Sequence, residues 1–343
     1  LKWHDLTTRP FIGVDIGRRY IKAAQMTNGR LSAWTCLNRT GEPGILAPQD
    51  VRRLVEAIRC GPFRGRSVVL AVGPEKLLTG ILELPPRSSG APVDQLAMSE
   101  LARRHGADVQ SMEMSCWDLP SPARAANRTY VMAVACAHTD ADGLLDAVEK
   151  AGLDVLAVET QATAAARACG RLLADLSGTG AILDVGWASS QLVMMYQGIV
   201  VYQRNLAKCG VDSLAKVLAK HPRVDASLVE GLLSGEGVES YLAAGNEGSA
   251  PAISAYLEAL AAELRIPLSY LANQYPDAAV KRLLLIGGGA RIQGLAGFLN
   301  RSLGLDVRVV KAGDLGRCDA QAESSGGGPS LAVAIGLAQY STR

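Results

Sequence analysis

Two Asp-x-Gly turns, each closing an apolar run, constrain this chain more than any other feature. The first lies in residues 11–22, Phe-Ile-Gly-Val-Asp-Ile-Gly-Arg-Arg-Tyr-Ile-Lys, and the second in 181–186, Ala-Ile-Leu-Asp-Val-Gly, with a returning run at 189–196. Asp15 and Asp184, Gly17 and Gly186, and Gly29 and Gly198 are all separated by 169 residues. A single Asp-Gly turn is ordinary hairpin chemistry. Two copies with the same returning strand and the same distal turn glycine predict a duplicated α/β domain, with mixed sheets flanked by helices.

The length allows this, since 343 residues suffice for two domains of ordinary size. A net charge of +2 gives no general attraction to nucleic acid or to an anionic membrane. No apolar run approaches the roughly 20 residues of a membrane span, and the first residues show no signal-peptide core. Seven scattered cysteines without a Cys-x-x-Cys pair predict reduced, mostly buried thiols in a cytoplasmic protein. The four isolated histidines (4, 105, 138 and 221) argue against a metal site built from them.

Taken in order, residues 11–36 read as a three-strand meander, 49–59 as an amphipathic helix and 67–72 as a buried strand. Residues 77–84 alternate loosely and end on Pro85-Pro86. The polar stretch 87–92 reads as a domain crossing, so 87–138 is expected to be a small inserted α+β subdomain. A helix over 139–151, capped by Thr139 or Asp140, a strand over 153–158 and an alanine-rich helix over 161–176 follow. After the second hairpin, Cys209-Gly210 opens a helix, and helical stretches follow near 225–233 and over 251–274, the latter kinked or split at Pro267. The strand 281–286 runs into Gly287-Gly288-Gly289-Ala290-Arg291. A helix over 293–303, a strand over 307–310, a loop over 319–329 and a closing helix over 331–339, capped by Ser330, complete the chain.

An Asp-x-Gly turn places a carboxylate at a strand end beside free backbone N–H groups. The N–H groups suit phosphate oxygens, and the carboxylate suits Mg²⁺ held through waters. Asp15 and Asp184 are therefore the metal candidates, and two facing turns would clamp a polyphosphate. Lys22 on the returning strand can act as a point charge on phosphate, and Ser189 and Ser190 as hydroxyl donors. Gly287, Gly288 and Gly289 allow close approach of backbone to a flat or anionic ligand, although strand–helix turns often carry glycine anyway. Arg291 suits stacking on a base, or is simply a solvated surface arginine. Glu159, at a strand–helix junction, suits orienting an attacking water, or is a helix-start acid that complements the helix dipole.

These residues resemble the motifs of the actin-like ATPase superfamily, and all five motifs occur in the family's order. Phosphate-1 is Asp15-Ile16-Gly17 with Lys22; the first connecting helix opens at Glu159-Thr160-Gln161-Ala162; phosphate-2 is Asp184-Val185-Gly186 with Ser189-Ser190. The adenosine motif is Gly287–Ile292, and the second connecting helix is Ala332–Ala338. Within the superfamily the chain is similar to the PilM family of type IV pilus assembly. The insertion follows Ile81-Leu82-Glu83-Leu84-Pro85, and Asp184–Gln191 resembles that family's second phosphate stretch.

The resemblance implies duplicated actin-like (ribonuclease H-like) domains. Subdomain 1A would comprise 9–86, 139–179 and 328–343; 1C would be 87–138; 2A would be 180–209 with 270–327; and 2B would be 210–269. It implies ATP and Mg²⁺ in the cleft, contacted by Asp15, Gly17, Arg18, Arg19, Lys22, Gly186, Ser189, Ser190, Gly210, Gly287, Gly288, Gly289 and Arg291. Glu159 and Asp184 would carry out any catalysis, at most slow ATP hydrolysis. A groove between 1A and 1C would take the cytoplasmic N-terminal peptide of PilN, an inner-membrane protein, placing the chain at the cytoplasmic face of that membrane. Relatives commonly self-associate, and no nucleic-acid partner is expected. The chain departs from the family pattern at Arg18-Arg19, at Trp187 and at Cys209-Gly210, where the family has a Gly-Gly pair. Two other readings stay open: a small-molecule kinase on the same fold, and an adaptor that has lost ATP binding.

Overall fold

The computed structural model describes residues 10–40, 46–122, 127–174, 179–219, 231–233, 249–275, 279–318 and 328–341. The chain begins with β1 (Ile12–Ile16), β2 (Tyr20–Thr27), β3 (Arg30–Asn38), α1 (Pro48–Cys60) and β4 (Ser67–Val72). Next come β5 (Leu77–Leu84), α2 (Val93–His105), β6 (Met112–Asp118), β7 (Thr129–Ala137), α3 (His138–Glu149), β8 (Asp154–Thr160) and α4 (Gln161–Leu173). The second half has β9 (Thr179–Val185), β10 (Ser190–Tyr196), β11 (Ile199–Leu206), α5 (Val211–Leu218), α6 (Ser249–Gln274) and β12 (Arg282–Ile286). It ends with α7 (Leu295–Leu303), β13 (Asp306–Val309), α8 (Ala312–Leu315) and α9 (Ala332–Ala338).

One topology occurs twice. The first five-stranded sheet has the order β3-β2-β1-β4-β8 and the second β11-β10-β9-β12-β13. In each, an antiparallel meander is extended by two parallel strands. The duplication reaches single residues. Both distal turns use two successive positive φ angles, 51° and 73° at Asn28-Gly29, and 52° and 77° at Gln197-Gly198, the backbone of a type I′ hairpin turn. Both hairpins also shift register at one point, between Gln25 and Met26 and between Met194 and Met195, again 169 residues apart.

A third sheet, β5-β7-β6, carries α2 on one face. Here β5 lies ahead of the boundary expected at residue 87, and it pairs along its whole length with β7. The loose alternation has a physical reason. Leu78, Leu82 and Leu84 pack with α2, while Leu77 and Ile81 on the opposite face pack against the core of the second lobe. Both faces of β5 are covered, so an alternating pattern would not suit it.

Helices α4 and α9 pack closely between the large sheets. Their buried residues are mostly small, among them Ala162, Ala164, Ala165, Ala168, Ala332, Ala334 and Gly336. Small side chains let helix backbones approach each other, so these two helices join the lobes beneath the space between the hairpin turns.

Several local expectations are corrected. Strand β7 runs directly into α3, whose N-cap is Ala137 with no side-chain bond, so neither Thr139 nor Asp140 caps it. Ser330 lies inside a 3₁₀ turn, Pro329–Leu331, that precedes α9. Helix α6 continues through Pro267, with buried Leu260, Leu264 and Leu271 holding it on both sides of the proline. All seven cysteines are free, but only Cys169 and Cys209 are buried; Cys36 and Cys60 are exposed. Most of the helix expected near 225–233, the end of the helix expected over 161–176 and most of the loop 319–329 lie outside the described residues. Among the described residues no helix is long and apolar enough to cross a membrane.

Candidate functional site

The two Asp-x-Gly turns open onto one cleft of about 690 Å³. The first lobe contributes Asp15, Gly17, Arg18, Arg19 and Lys22, and the second Asp184, Gly186, Trp187 and Ser189. Gly287, Gly288, Gly289 and Arg291 come from the loop after β12.

In the first turn Asp15 is buried. The antiparallel register sets Lys22 directly opposite it, and the two side chains form an ion pair. Gln161, the first residue of α4, donates from Nε2 to Asp15 Oδ1 at 2.8 Å. Burial alone would lower the Lys22 pKa, but Asp15 and Asp184 outweigh it and hold the pKa above its ordinary value. Lys22 is thus an ammonium at neutral pH.

The second turn differs at one duplicated position. Gln191 stands opposite Asp184, where the first hairpin has Lys22. Burial raises the Asp184 pKa to about 6, with Lys22 pulling it down and Asp15 pushing it up. The Gly-rich loop fits against this carboxylate. Gly287 has a φ of 85°, and a Cβ there would lie 2.1 Å from Asp184 Oδ1, so both the backbone conformation and the close approach require glycine.

A buried network supports the first turn from behind. Arg39 donates from Nη1 to the Gly17 carbonyl at 3.1 Å and from Nε to Asp50 Oδ2 at 3.3 Å. The Thr40 N–H and hydroxyl donate to Asp50 Oδ1, each at 2.9 Å. Burial would raise the Asp50 pKa, but the bonds from Thr40 and Arg39 outweigh it and hold the carboxyl below its usual range. On the other lobe the N-terminus of α5 supports the second turn, with Val211 N–H donating to Gly186 O at 3.1 Å and Asp212 N–H to Trp187 O at 2.9 Å. Across the cleft, the Arg19 guanidinium lies 4.5 Å from the centroid of the Trp187 ring.

Three residues expected in the cleft lie elsewhere. Glu159 belongs to β8, which runs on to Thr160. Its carboxylate pairs with Arg167 at 2.5 and 2.8 Å, away from the cleft lining. Ser190 is fully buried and donates to the Cys209 carbonyl at 2.7 Å. It begins β10, so strand alternation turns it inward while Ser189 stays in the cleft. Gly210 sits behind the second turn, where a Cβ would lie 2.4 Å from the Trp187 carbonyl oxygen. Conversely, sequence reading missed Gln161, Arg39, Asp50 and Gln191. Two of them carried a usable signal: Gln191 by its 169-residue offset from Lys22, and Gln161 by its place in the motif that opens the first connecting helix.

Among the described residues no group of three or more His, Cys, Asp or Glu side chains is placed to hold a metal. At the two turns the cleft instead offers the carboxylates of Asp15 and Asp184 beside several cations. That donor set fits a Mg²⁺ that keeps most of its waters and shares phosphate oxygens.

The sequence profile of the type IV pilus assembly protein PilM matches residues 51–342. The chain belongs to the PilM family. A chain in the solved PilM–PilN type IV pilus biogenesis complex has a TM-score of 0.77 and 22% identity, with 97% of this chain and 98% of that one covered. The ethanolamine utilization protein EutJ from Carboxydothermus hydrogenoformans has a TM-score of 0.58 and 16% identity, covering 96% and 89%. MreB5 of Spiroplasma citri, solved with ADP, has a TM-score of 0.53 and 13% identity, covering 96% and 95%. These likenesses show an actin-like fold, as the sequence motifs implied. No curated protein matches the sequence.

Proposed function

We propose that this PilM-family chain is a nucleotide-binding scaffold whose cleft takes ATP with Mg²⁺ and whose surface takes the N-terminal peptide of a PilN-type membrane protein. The observation that carries the cleft reading is the duplicated pair of turns, with Asp15, Lys22 and Asp184 converging on one cavity. Asp15 and Asp184 would hold Mg²⁺ through waters, and the ion would offset phosphate charge. Lys22, Arg18, Arg19 and Ser189 face the polyphosphate, and Gly287–Gly289 with Arg291 face the nucleoside. MreB5 of Spiroplasma citri, which shares this fold, has been solved with ADP and with AMPPNP.

Turnover by this site is slow or absent. The cleft side chain that meets Asp15 from α4 is the amide of Gln161, which can orient a water but cannot take its proton. The carboxylate of Glu159 is committed to Arg167. The chain therefore works through the shape its nucleotide sets, docking at the cytoplasmic face of the inner membrane through its partner. The peptide groove lies between the first lobe and the β5-β7-β6 sheet. The solved PilM–PilN type IV pilus biogenesis complex, which contains a chain of the same fold, supports this partner choice.

Calorimetry with Mg-ATP, alone and then with a peptide of the PilN-type cytoplasmic N-terminus, tests the reading. Tighter nucleotide binding with peptide present is expected, because coupling between two sites is reciprocal. Peptide binding without any nucleotide binding would leave a static adaptor, and phosphorylation of a small metabolite would instead make the chain a kinase.

A further inference from the structure

Arg19 and Trp187 are two departures from the motif pattern, and the structure brings them together. Arg19 belongs to the turn between β1 and β2, Trp187 to the turn between β9 and β10, and both line the cleft. The guanidinium carbon is 4.5 Å from the centroid of the Trp187 ring and 5.6 Å from that of Tyr20. Each backbone is fixed to its own lobe: the Arg19 carbonyl accepts from Arg39 N–H at 2.9 Å, and the Trp187 carbonyl accepts from Asp212 N–H at 2.9 Å. The stack therefore ties the two lobes together across the phosphate end of the cleft.

An indole face attracts a guanidinium through its quadrupole, but it accepts no strong hydrogen bonds. A phosphate offers full charge and paired acceptor oxygens that match the guanidinium fork. We propose that the Trp187 indole and the polyphosphate of a nucleotide compete for Arg19, so that the stack is a latch which nucleotide binding displaces. This rests on the nucleotide-cleft reading. Arg19 is then a phosphate-binding residue whose release from Trp187 couples phosphate binding to the relation between the lobes.

The latch predicts opposite effects from its two halves. Trp187→Leu removes only the competitor, so Mg-ATP binds about two- to five-fold more tightly, the range of a partly exposed cation–π pair. Arg19→Gln removes the phosphate ligand as well, and affinity falls about ten-fold or more. The wild-type protein supplies a second readout: the emission difference between wild type and Trp187→Phe shifts when Mg-ATP is added, because the indole loses its cation. Unchanged or weaker Mg-ATP binding by a folded Trp187→Leu variant overturns the latch while leaving the nucleotide site intact. An emission difference that ignores bound Mg-ATP does the same. If wild type and both variants all fail to bind Mg-ATP, the nucleotide reading falls and the latch falls with it.

Discussion

Arg167 holds both carboxylate oxygens of Glu159, at 2.5 and 2.8 Å, and donates at 2.8 Å to the carbonyl of Gly336 in α9. One guanidinium thus fastens the end of β8, the body of α4 and the closing helix. Glu159→Gln keeps the shape but removes the charge that faces Arg167. The glutamate side chain is only 14% exposed and the arginine 30%, so the loss is expected to be about 1–2 kcal/mol. Melting should show this drop, whereas the upward shift with Mg-ATP should remain. A variant that melts like wild type but loses the Mg-ATP shift would return Glu159 to the cleft chemistry.

Asp184 gives the cleft a pH signature. Its folded-state pKa is about 6, against an ordinary value of 3.8. Between those limits the folded protein binds the proton more tightly than the unfolded chain, so this group's contribution to stability declines as pH rises through the window. The penalty is absent below about pH 4 and complete above about pH 6. Asp184→Asn should therefore stabilise the ligand-free protein at pH 7.5 by on the order of 1–3 kcal/mol, and by little at pH 4. Urea melts of both proteins across this range check the sign, and a gap that fails to close at low pH would refute it.

The hairpins and their turns were legible because duplication repeats a local pattern that the eye can align, whereas the order of the strands in the two sheets was not read from it. Gly17, Gly186 and the glycines after β12 fell where strand-end turns demand them. What stayed hidden depends on contacts between distant segments. Arg39 reaches Asp50 and Gly17 only after α1 folds back on the meander, and no local pattern marks either side chain as buried. Glu159 and Ser190 were misplaced for a simpler reason. Strand β8 runs to Thr160 and β10 starts at Ser190, so both side chains are aimed by strand alternation rather than by the turn in which they were expected. The pairing of β5 with β7 was equally invisible, since a strand covered on both faces names no partner.

The approach of α9 to α4 can be tested at one atom. A Cβ on Gly336 would lie 1.9 Å from the carbonyl oxygen of Ala164 and 2.6 Å from its carbon. Both are backbone atoms, so the helices must separate to accept a methyl group. Gly336→Ala is expected to cost about 3 kcal/mol or more, beyond the usual overpacking range, because no side chain can yield. Gly143 in α3 has nothing within 4 Å of the same position, so Gly143→Ala should stabilise by about 0.5–1 kcal/mol through helix propensity alone. Chemical denaturation of the pair separates close packing from propensity, and similar values for both would contradict the tight crossing.

Asp50 tests whether the first turn is held from behind. Its side chain is fully buried beside an Arg39 that is only 5% exposed, and Asp50→Ala removes the carboxylate that faces this guanidinium. Breaking such a buried pair costs about 3–5 kcal/mol. Asp50→Asn keeps one acceptor for Thr40 and should lose less. Because the folded-state pKa lies below its ordinary value, the contribution of Asp50 is present above about pH 4 and is lost as pH falls through the lower folded value, the opposite direction to Asp184. Asp50→Asn should therefore converge with wild type in strong acid while differing at neutral pH, whereas Asp50→Ala, which also leaves the Thr40 donors unmatched, should stay below both. Arg39 also donates to the Gly17 carbonyl, so loosening it should move the turn proposed above to face the phosphates. Mg-ATP affinity in Asp50→Ala, measured where the protein is still folded, is expected to fall about three- to ten-fold, the effect of weakening one charge-assisted hydrogen bond. Full affinity in a destabilised Asp50→Ala protein would show that the turn keeps its shape without this support.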